Sequence, residues 1–321
     1  MRLRLVPQET NWDFMQWRHY TFGASVVAMV LSLAVWALMG LNFGIDFLGG
    51  TTIRTESAAP VDVGAYRAAL EPLALGDVTI TEVFDPTFAP DQNVAQVRIQ
   101  AQEGAEAVTP ETIAAVEAAL RGIDPSIEFP SVESVGPKVS GELITTAFLA
   151  VGASLAAILV YIWLRFEWQF SIGAIAALVH DVVLTIGVFS LFQIRFDLAT
   201  IAAILTIIGY SINDTVVIFD RLRENLIKYK KTPLIDVMNR AVNETLSRTL
   251  MTSGTTVVAL VALLILGGDV IRGFVFAILW GVLVGTYSSV YVAKNVVLML
   301  GVDRDPKTPS EAGTTFADVD A

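Results

Sequence analysis

The sequence predicts a polytopic α-helical membrane protein: six transmembrane helices, with a periplasmic-type α+β domain of ferredoxin-like topology between helices 1 and 2. Three observations carry that expectation. Of the 321 residues, 54% are hydrophobic and only 17% charged, and the mean hydropathy is +0.61, a balance foreign to a soluble globular chain of this length. The apolar residues gather into six stretches of roughly 20 residues, each long enough at about 1.5 Å of rise per residue to cross about 30 Å of hydrocarbon. The long polar interval 44–142 holds 16 acidic against 5 basic side chains, so its net charge of −11 equals that of the whole chain.

In order along the chain, residues 1–20 form an N-terminal segment with Arg2, Arg4 and Arg18. The first span, 21–43, is longer than the apolar core of a signal peptide and is expected to stay as an uncleaved anchor. Residues 143–301 contain spans two to six, with apolar stretches at 143–164, 169–192, 198–219, 249–268 and 273–293. The connection 220–248 between spans four and five is basic and helix-prone, broken at Pro233 and expected along the inner membrane surface. In it Asp236 with Arg240, and Glu244 with Arg248, stand at i,i+4. The tail 302–321 is polar, contains Pro306 and Pro309, and is expected to be disordered. An even number of spans puts both termini on one side. That side carries 14 Lys and Arg against 7 on the other, which assigns it to the cytoplasm.

Within 44–142 a strand is expected at 51–56, followed by a helix burying Val63, Tyr66, Leu70 and Leu73. Val78 and Ile80 alternate in a second strand; Ala95, Val97, Ile99 and Ala101 alternate in a third. Thr109 and Pro110 supply an N-cap and first-turn proline for a helix carrying Ile113, Val116 and Leu120 and closed by Gly122. An extended run, 126–135, ends the module. The order β-α-β-β-α-β is that of a ferredoxin-like split βαβ unit.

The acidity of this domain argues against nucleic-acid binding. The absence of cysteine excludes disulfides and thiolate chemistry. Phosphate-binding loop, nucleophile elbow and zinc-protease signatures are absent, and two histidines, His19 and His180, cannot build a multi-histidine metal site. No catalytic residue, metal or cofactor is called for. Gly281 and Gly285 have the spacing that lets helices approach closely.

Ionisable groups inside a span are expensive and mark function by default. Span three contains His180 and Asp181, and span four Asn213 and Asp214, with Asp220 and Arg221 at its end. Asp214 is the leading candidate for a proton-carrying carboxyl, with Tyr210 and Ser211 one turn before it as hydrogen-bond donors and Arg248 at the start of span five as counter-charge. The bland alternatives are a helix-helix polar contact for Asp214, a backbone or Thr185 contact for Asp181, and a surface pair with Glu244 for Arg248. His180 lies about 100° around the helix from Asp181 and need not share its surroundings.

Five segments together, FGIDFLGGT (43–51), SVGPKVSGEL (134–143), LVHDVVLTIGVFSLF (178–192), IGYSINDTVVIFDRLREN (208–225) and NETLSRTLMTSGTT (243–256), resemble the SecD/SecF family of protein-export membrane proteins, of the resistance-nodulation-division type. The resemblance implies a six-span subunit of the bacterial inner membrane, its large loop periplasmic, packed beside SecD. It implies use of the proton motive force to promote movement of unfolded preproteins after the SecYEG channel and SecA have acted, with YajC and YidC as further associates and the lipid bilayer as solvent. It assigns proton passage to positions matching Asp214 and Arg248, and a less defined role to Asp181. The competing readings are a passive scaffold for the outer domain and, remotely, an intramembrane aspartyl protease built on Asp181 and Asp214.

Overall fold

The structure is a computed structural model and describes residues 10–83, 88–89, 91–100 and 108–302. Among these, six helices are long and apolar enough to cross a membrane. The first, α1 (Arg18–Met39), is followed by a two-residue strand β1 (Asn42–Phe43) and a single turn α2 (Ile45–Leu48). Gly49 and Gly50 then take φ of 69° and 120°, a left-handed corner that side chains resist, and this reverses the chain into the outer domain.

That domain consists of β2 (Gly50–Ser57), α3 (Val63–Leu70), β3 (Val78–Val83), β4 (Asn93–Gln100), α4 (Pro110–Arg121) and β5 (Glu128–Val135). The sheet order is β3-β4-β2-β5, every pair antiparallel, which is the ferredoxin-like arrangement. Both helices start as their sequences dictate. Asp62 accepts the backbone N–H groups of Gly64 and Ala65 at 2.8 and 3.0 Å, and Thr109 accepts that of Thr112 at 3.3 Å. Ile53, Val97 and Ile99 on the sheet pack with Tyr66, Leu70, Val116 and Leu120. The period of two leaves Thr52, Arg54, Gln96 and Arg98 on the opposite, polar face. Ala101 and the tail beyond residue 302 lie outside the described residues.

The membrane helices that follow are α5 (Pro137–Arg165), α6 (Trp168–Leu191), α7 (Leu198–Lys228), α8 (Leu234–Leu266) and α9 (Asp269–Ser288). A π-helical turn, Ser289–Ala293, joins α9 to α10 (Lys294–Leu300), so that the sixth span is interrupted but continuous. Strand β6 (Arg195–Phe196), before α7, pairs in parallel with β1 and ties the end of span one to the turn after span three. The bundle is unequal. Over the most apolar 18-residue stretch of each helix, 50% of α6 and 44% of α7 is buried inside the chain, against 6% of α1 and of α5, whose apolar faces are left for lipid or another subunit. Gly281 and Gly285 sit where α9 crosses α7: a Cβ at Gly281 would collide with Ile207, and one at Gly285 would come within 3.0 Å of Ser211 Cβ.

The basic connection between spans four and five is helical, with its break at Pro233. It is the continuation of two helices, α7 to Lys228 and α8 from Leu234, joined at 229–233 with Pro233 as N-cap of α8. The i,i+4 pairing expected there is redirected. Glu244 accepts Arg221 Nε at 2.7 Å, Arg240 Nε at 2.9 Å and Asn225 Nδ2 at 2.8 Å. With three donors from α7 and from its own preceding turn, it makes no ion pair with Arg248 among the described residues. The same surface holds the N-terminal segment: Asn239 and Asn243, one turn apart, accept the backbone N–H groups of Phe14 and Trp12, both at 2.9 Å, and donate to the Trp12 carbonyl.

Candidate functional site

Helices α6, α7 and α9 meet in a buried polar core. It exists because each helix contributes small hydroxyl residues where the glycines draw the backbones together. Asp181 of α6, 1% exposed, is fully engaged. Its Oδ1 is bonded to His180 Nδ1 at 2.9 Å, and its Oδ2 accepts the hydroxyls of Ser211 at 2.5 Å and Ser288 at 2.9 Å. His180 therefore shares the environment of Asp181 through this contact, although the two residues leave the helix about 100° apart. The Thr185 hydroxyl donates to the Asp181 backbone carbonyl at 2.7 Å and leaves the carboxylate untouched. Ser289, in the π turn, accepts or donates to Thr215 at 2.8 Å. The consecutive serines at the end of α9 and the start of the π turn thus serve two different helices, Ser288 α6 and Ser289 α7.

Asp214 presents the opposite case. It is 3% exposed, yet its Oδ2 is buried without a hydrogen-bond partner among the described residues. The polar groups that act on its carboxyl, Ser253 and Arg248, both belong to α8. The donors expected from its own helix are elsewhere: Ser211 bonds Asp181, and Tyr210 donates to Thr256 at 3.4 Å. The reason is lateral. The side of α7 that carries Ser211 packs against α6 and α9, and Asp181 competes successfully for the hydroxyl. Asn213 is exposed on the outside of the bundle. Arg248 is exposed as well and pairs with no carboxylate within 4.0 Å among the described residues, so it neither neutralises Asp214 directly nor forms the bland pair with Glu244.

Sequence reasoning missed Ser288, Ser289 and Ser253, whose only signal is a small polar residue on the face opposite Asp181 and Asp214. It also missed an aromatic column: the His180 ring stacks 6.0 Å from that of Tyr287, which lies 5.2 Å from that of Tyr291. Lys294, fully buried, sits with its Nζ 5.9 Å from the Tyr291 ring and 6.0 Å from that of Phe14.

Comparison with known proteins follows this geometry. The family described as "Protein export membrane protein SecD/SecF, C-terminal" matches residues 115–303, and the SecD/SecF GG motif matches residues 34–61, which include Gly49 and Gly50. The protein translocase subunit SecF of Cereibacter sphaeroides is 68% identical over 321 residues, covering 100% of this chain and 99% of its own length. The chain belongs to the SecF family of protein translocase subunits. SecF of Vibrio alginolyticus is 39% identical over 319 residues, 99% of this chain and 98% of its own. Among solved structures, SecDF of Thermus thermophilus, a translocon-associated membrane protein, superposes with a TM-score of 0.82 at 35% identity over 94% of this chain. The chain spans 40% of the length of that SecDF chain. SecDF in its super-membrane-facing form gives 0.68 at 36% identity over 93% of this chain. Members of the SecF family are membrane proteins, and both the six-helix architecture and the inserted domain fit that membership.

Proposed function

We propose that this chain is the six-span half of an inner-membrane complex with SecD, with cytoplasmic termini, and that it uses proton entry at Asp214 to drive the outer domain against a preprotein leaving the SecYEG channel after SecA has acted. The observation that carries the reading is the contrast between the two buried acids. Asp181 has both oxygens occupied by donors, so a proton added there would break an existing bond. Asp214 has a free oxygen that can take and return a proton with no such loss.

The energy scale suits the task. Each proton crossing the membrane supplies about 2.3 kcal/mol per 100 mV. Neutralising a buried charge at the α7–α8 contact changes which packing of those helices is preferred, and a shift of that size moves a two-state population about fiftyfold. The exposed Arg248 supports a gating role: a cation near Asp214 but not bonded to it can approach or withdraw as α8 moves. Motion reaches the outer domain through the β1–β6 pairing and through Arg98, whose Nη1 donates to the Phe43 carbonyl at 3.0 Å. The saturated Asp181 cluster supports a structural role for that residue, which speaks against a paired-aspartate protease.

The test is gradient-stimulated preprotein export in membrane vesicles carrying the complex, comparing Asp214→Asn with the parent at equal abundance. Loss of the gradient-dependent part with the complex intact is the expected result. Unchanged export would overturn the relay, and loss of the complex itself would favour a passive scaffold.

A further inference from the structure

Between the polar face of the outer-domain sheet and the ends of the helices beneath it lies a cavity of about 750 Å³ that the relay does not use. Arg54 and Arg98 line it from the sheet, Arg195 from β6 and Arg272 from the first turn of α9. Of the seven Lys and Arg that the sequence places on this side of the bundle, these four line one cavity. Two of them, Arg54 and Arg98, come from a domain whose net charge is −11.

Arg98 donates to two neutral oxygens, Asn42 Oδ1 at 3.4 Å and the Phe43 carbonyl at 3.0 Å, and pairs with no carboxylate within 4.0 Å among the described residues. Arg195 Nε is buried without a hydrogen bond among the described residues, its nearest carboxylate oxygen being that of Asp197 at 3.6 Å. Asp197 already caps α7 by accepting the Thr200 N–H at 2.9 Å, and Asp46, also in the lining, accepts the Leu198 N–H at 3.0 Å. Burial, together with repulsion from Arg195, holds the Arg98 guanidinium below its ordinary pKa. Two mutually repelling guanidiniums facing one space are relieved by an anion between them. The lining also holds a carboxylate on the polar face of the edge strand β5, Glu133, which forms no ion pair among the described residues. The rim is apolar: Leu264, Val270 and Phe274 close the membrane side, and Val270 is 80% exposed.

We propose that this cavity binds the headgroup of a zwitterionic phospholipid. Arg195 and Arg98 hold the phosphodiester, Glu133 holds the ammonium, and the acyl chains leave across Val270. The position fits a lipid better than a soluble ligand, because the lining includes apolar side chains at the ends of two membrane helices, Leu264 of α8 and Val270 and Phe274 of α9. A bound lipid would fill the space between domain and bundle and so set the resting height of the domain.

The experiment is native mass spectrometry of the full-length chain released from detergent after incubation with one of three probes: short-chain phosphatidylethanolamine, short-chain phosphatidylglycerol, or water-soluble phosphoethanolamine. Retention of phosphatidylethanolamine is expected, with about tenfold weaker retention of phosphatidylglycerol, as follows from losing one charge-assisted contact. Arg195→Gln should lower phosphatidylethanolamine retention by a similar factor, and Glu133→Gln, at an exposed position that does not threaten folding, should erase the preference over phosphatidylglycerol. Equal retention of both lipids, or retention unchanged in both variants, would overturn the proposal. Equal retention of soluble phosphoethanolamine would overturn the lipid as its source.

Discussion

The crossing of α7 and α9 makes the sharpest structural prediction, at Gly281. A Cβ at that position collides with three atoms of the Ile207 side chain, and Ile207 is itself 1% exposed, inside a cluster with Ile204, Ile278 and Val282. Neither side chain has room to retreat, so Gly281→Ala is an overpacking substitution and should destabilise the bundle by about 1–3 kcal/mol. Ile207→Ala removes the obstructing atoms but leaves a cavity, a loss of about 2–5 kcal/mol on its own. Combined, the alanine at 281 occupies part of the space vacated at 207. The double variant should therefore be more stable than the sum of the single effects by about 1–2 kcal/mol. Thermal unfolding of the detergent-purified chain, followed by loss of monodispersity, reads all three. If the two effects simply add to within about 0.5 kcal/mol, the helices do not meet at these residues and the close-packed account of the polar core fails with them.

Other outcomes follow from the same geometry. Ser288→Ala removes a donor from a buried carboxylate and should cost about 1.5–3 kcal/mol of bundle stability, whereas Ser289→Ala, which breaks a hydroxyl-hydroxyl contact, should cost about 1 kcal/mol; reversal of that order in thermal unfolding would refute the assigned partners. Asp62→Ala deprives α3 of two N-terminal hydrogen bonds, and the outer domain should lose about 1 kcal/mol, measurable by denaturant titration of the full chain. Glu244→Gln should change stability by no more than about 1 kcal/mol, because its arginine partners are half exposed and screened. Asn243→Ala should free the Trp12 backbone N–H and speed its hydrogen exchange, with little change at α7.

Much of the fold is legible because its determinants are local. Thr109, Pro110 and Asp62 announce helix starts, alternating Val97 and Ile99 announce a two-faced strand, and apolar length announces each span. The buried acids were equally visible, since a charge in an apolar stretch stands out against its neighbours. Their partners were not. Whether Ser211 serves Asp214 on its own helix or Asp181 on another depends on how α6, α7 and α9 rotate about their axes, and that is fixed by Gly281, Gly285 and the π turn acting together. Glu244 makes the same point at the surface: i,i+4 spacing offers it two arginines, and the one chosen is decided by Arg221 on a different helix. The polar cavity under the sheet draws on all four strands of the sheet, on β6 and on the ends of α8 and α9, so no local pattern could disclose it.

Proton flux into proteoliposomes containing the two-subunit complex tests the central claim most directly, with Asp214→Asn and Asp181→Asn measured side by side at matched reconstitution. The account predicts that Asp214→Asn abolishes flux in a complex that assembles and melts like the parent, whereas Asp181→Asn weakens the bundle because the Ser211, Ser288 and His180 contacts lose their acceptor. Flux that persists in Asp214→Asn, with its loss confined to Asp181→Asn in a fully stable complex, would contradict the assignment of the two carboxyls.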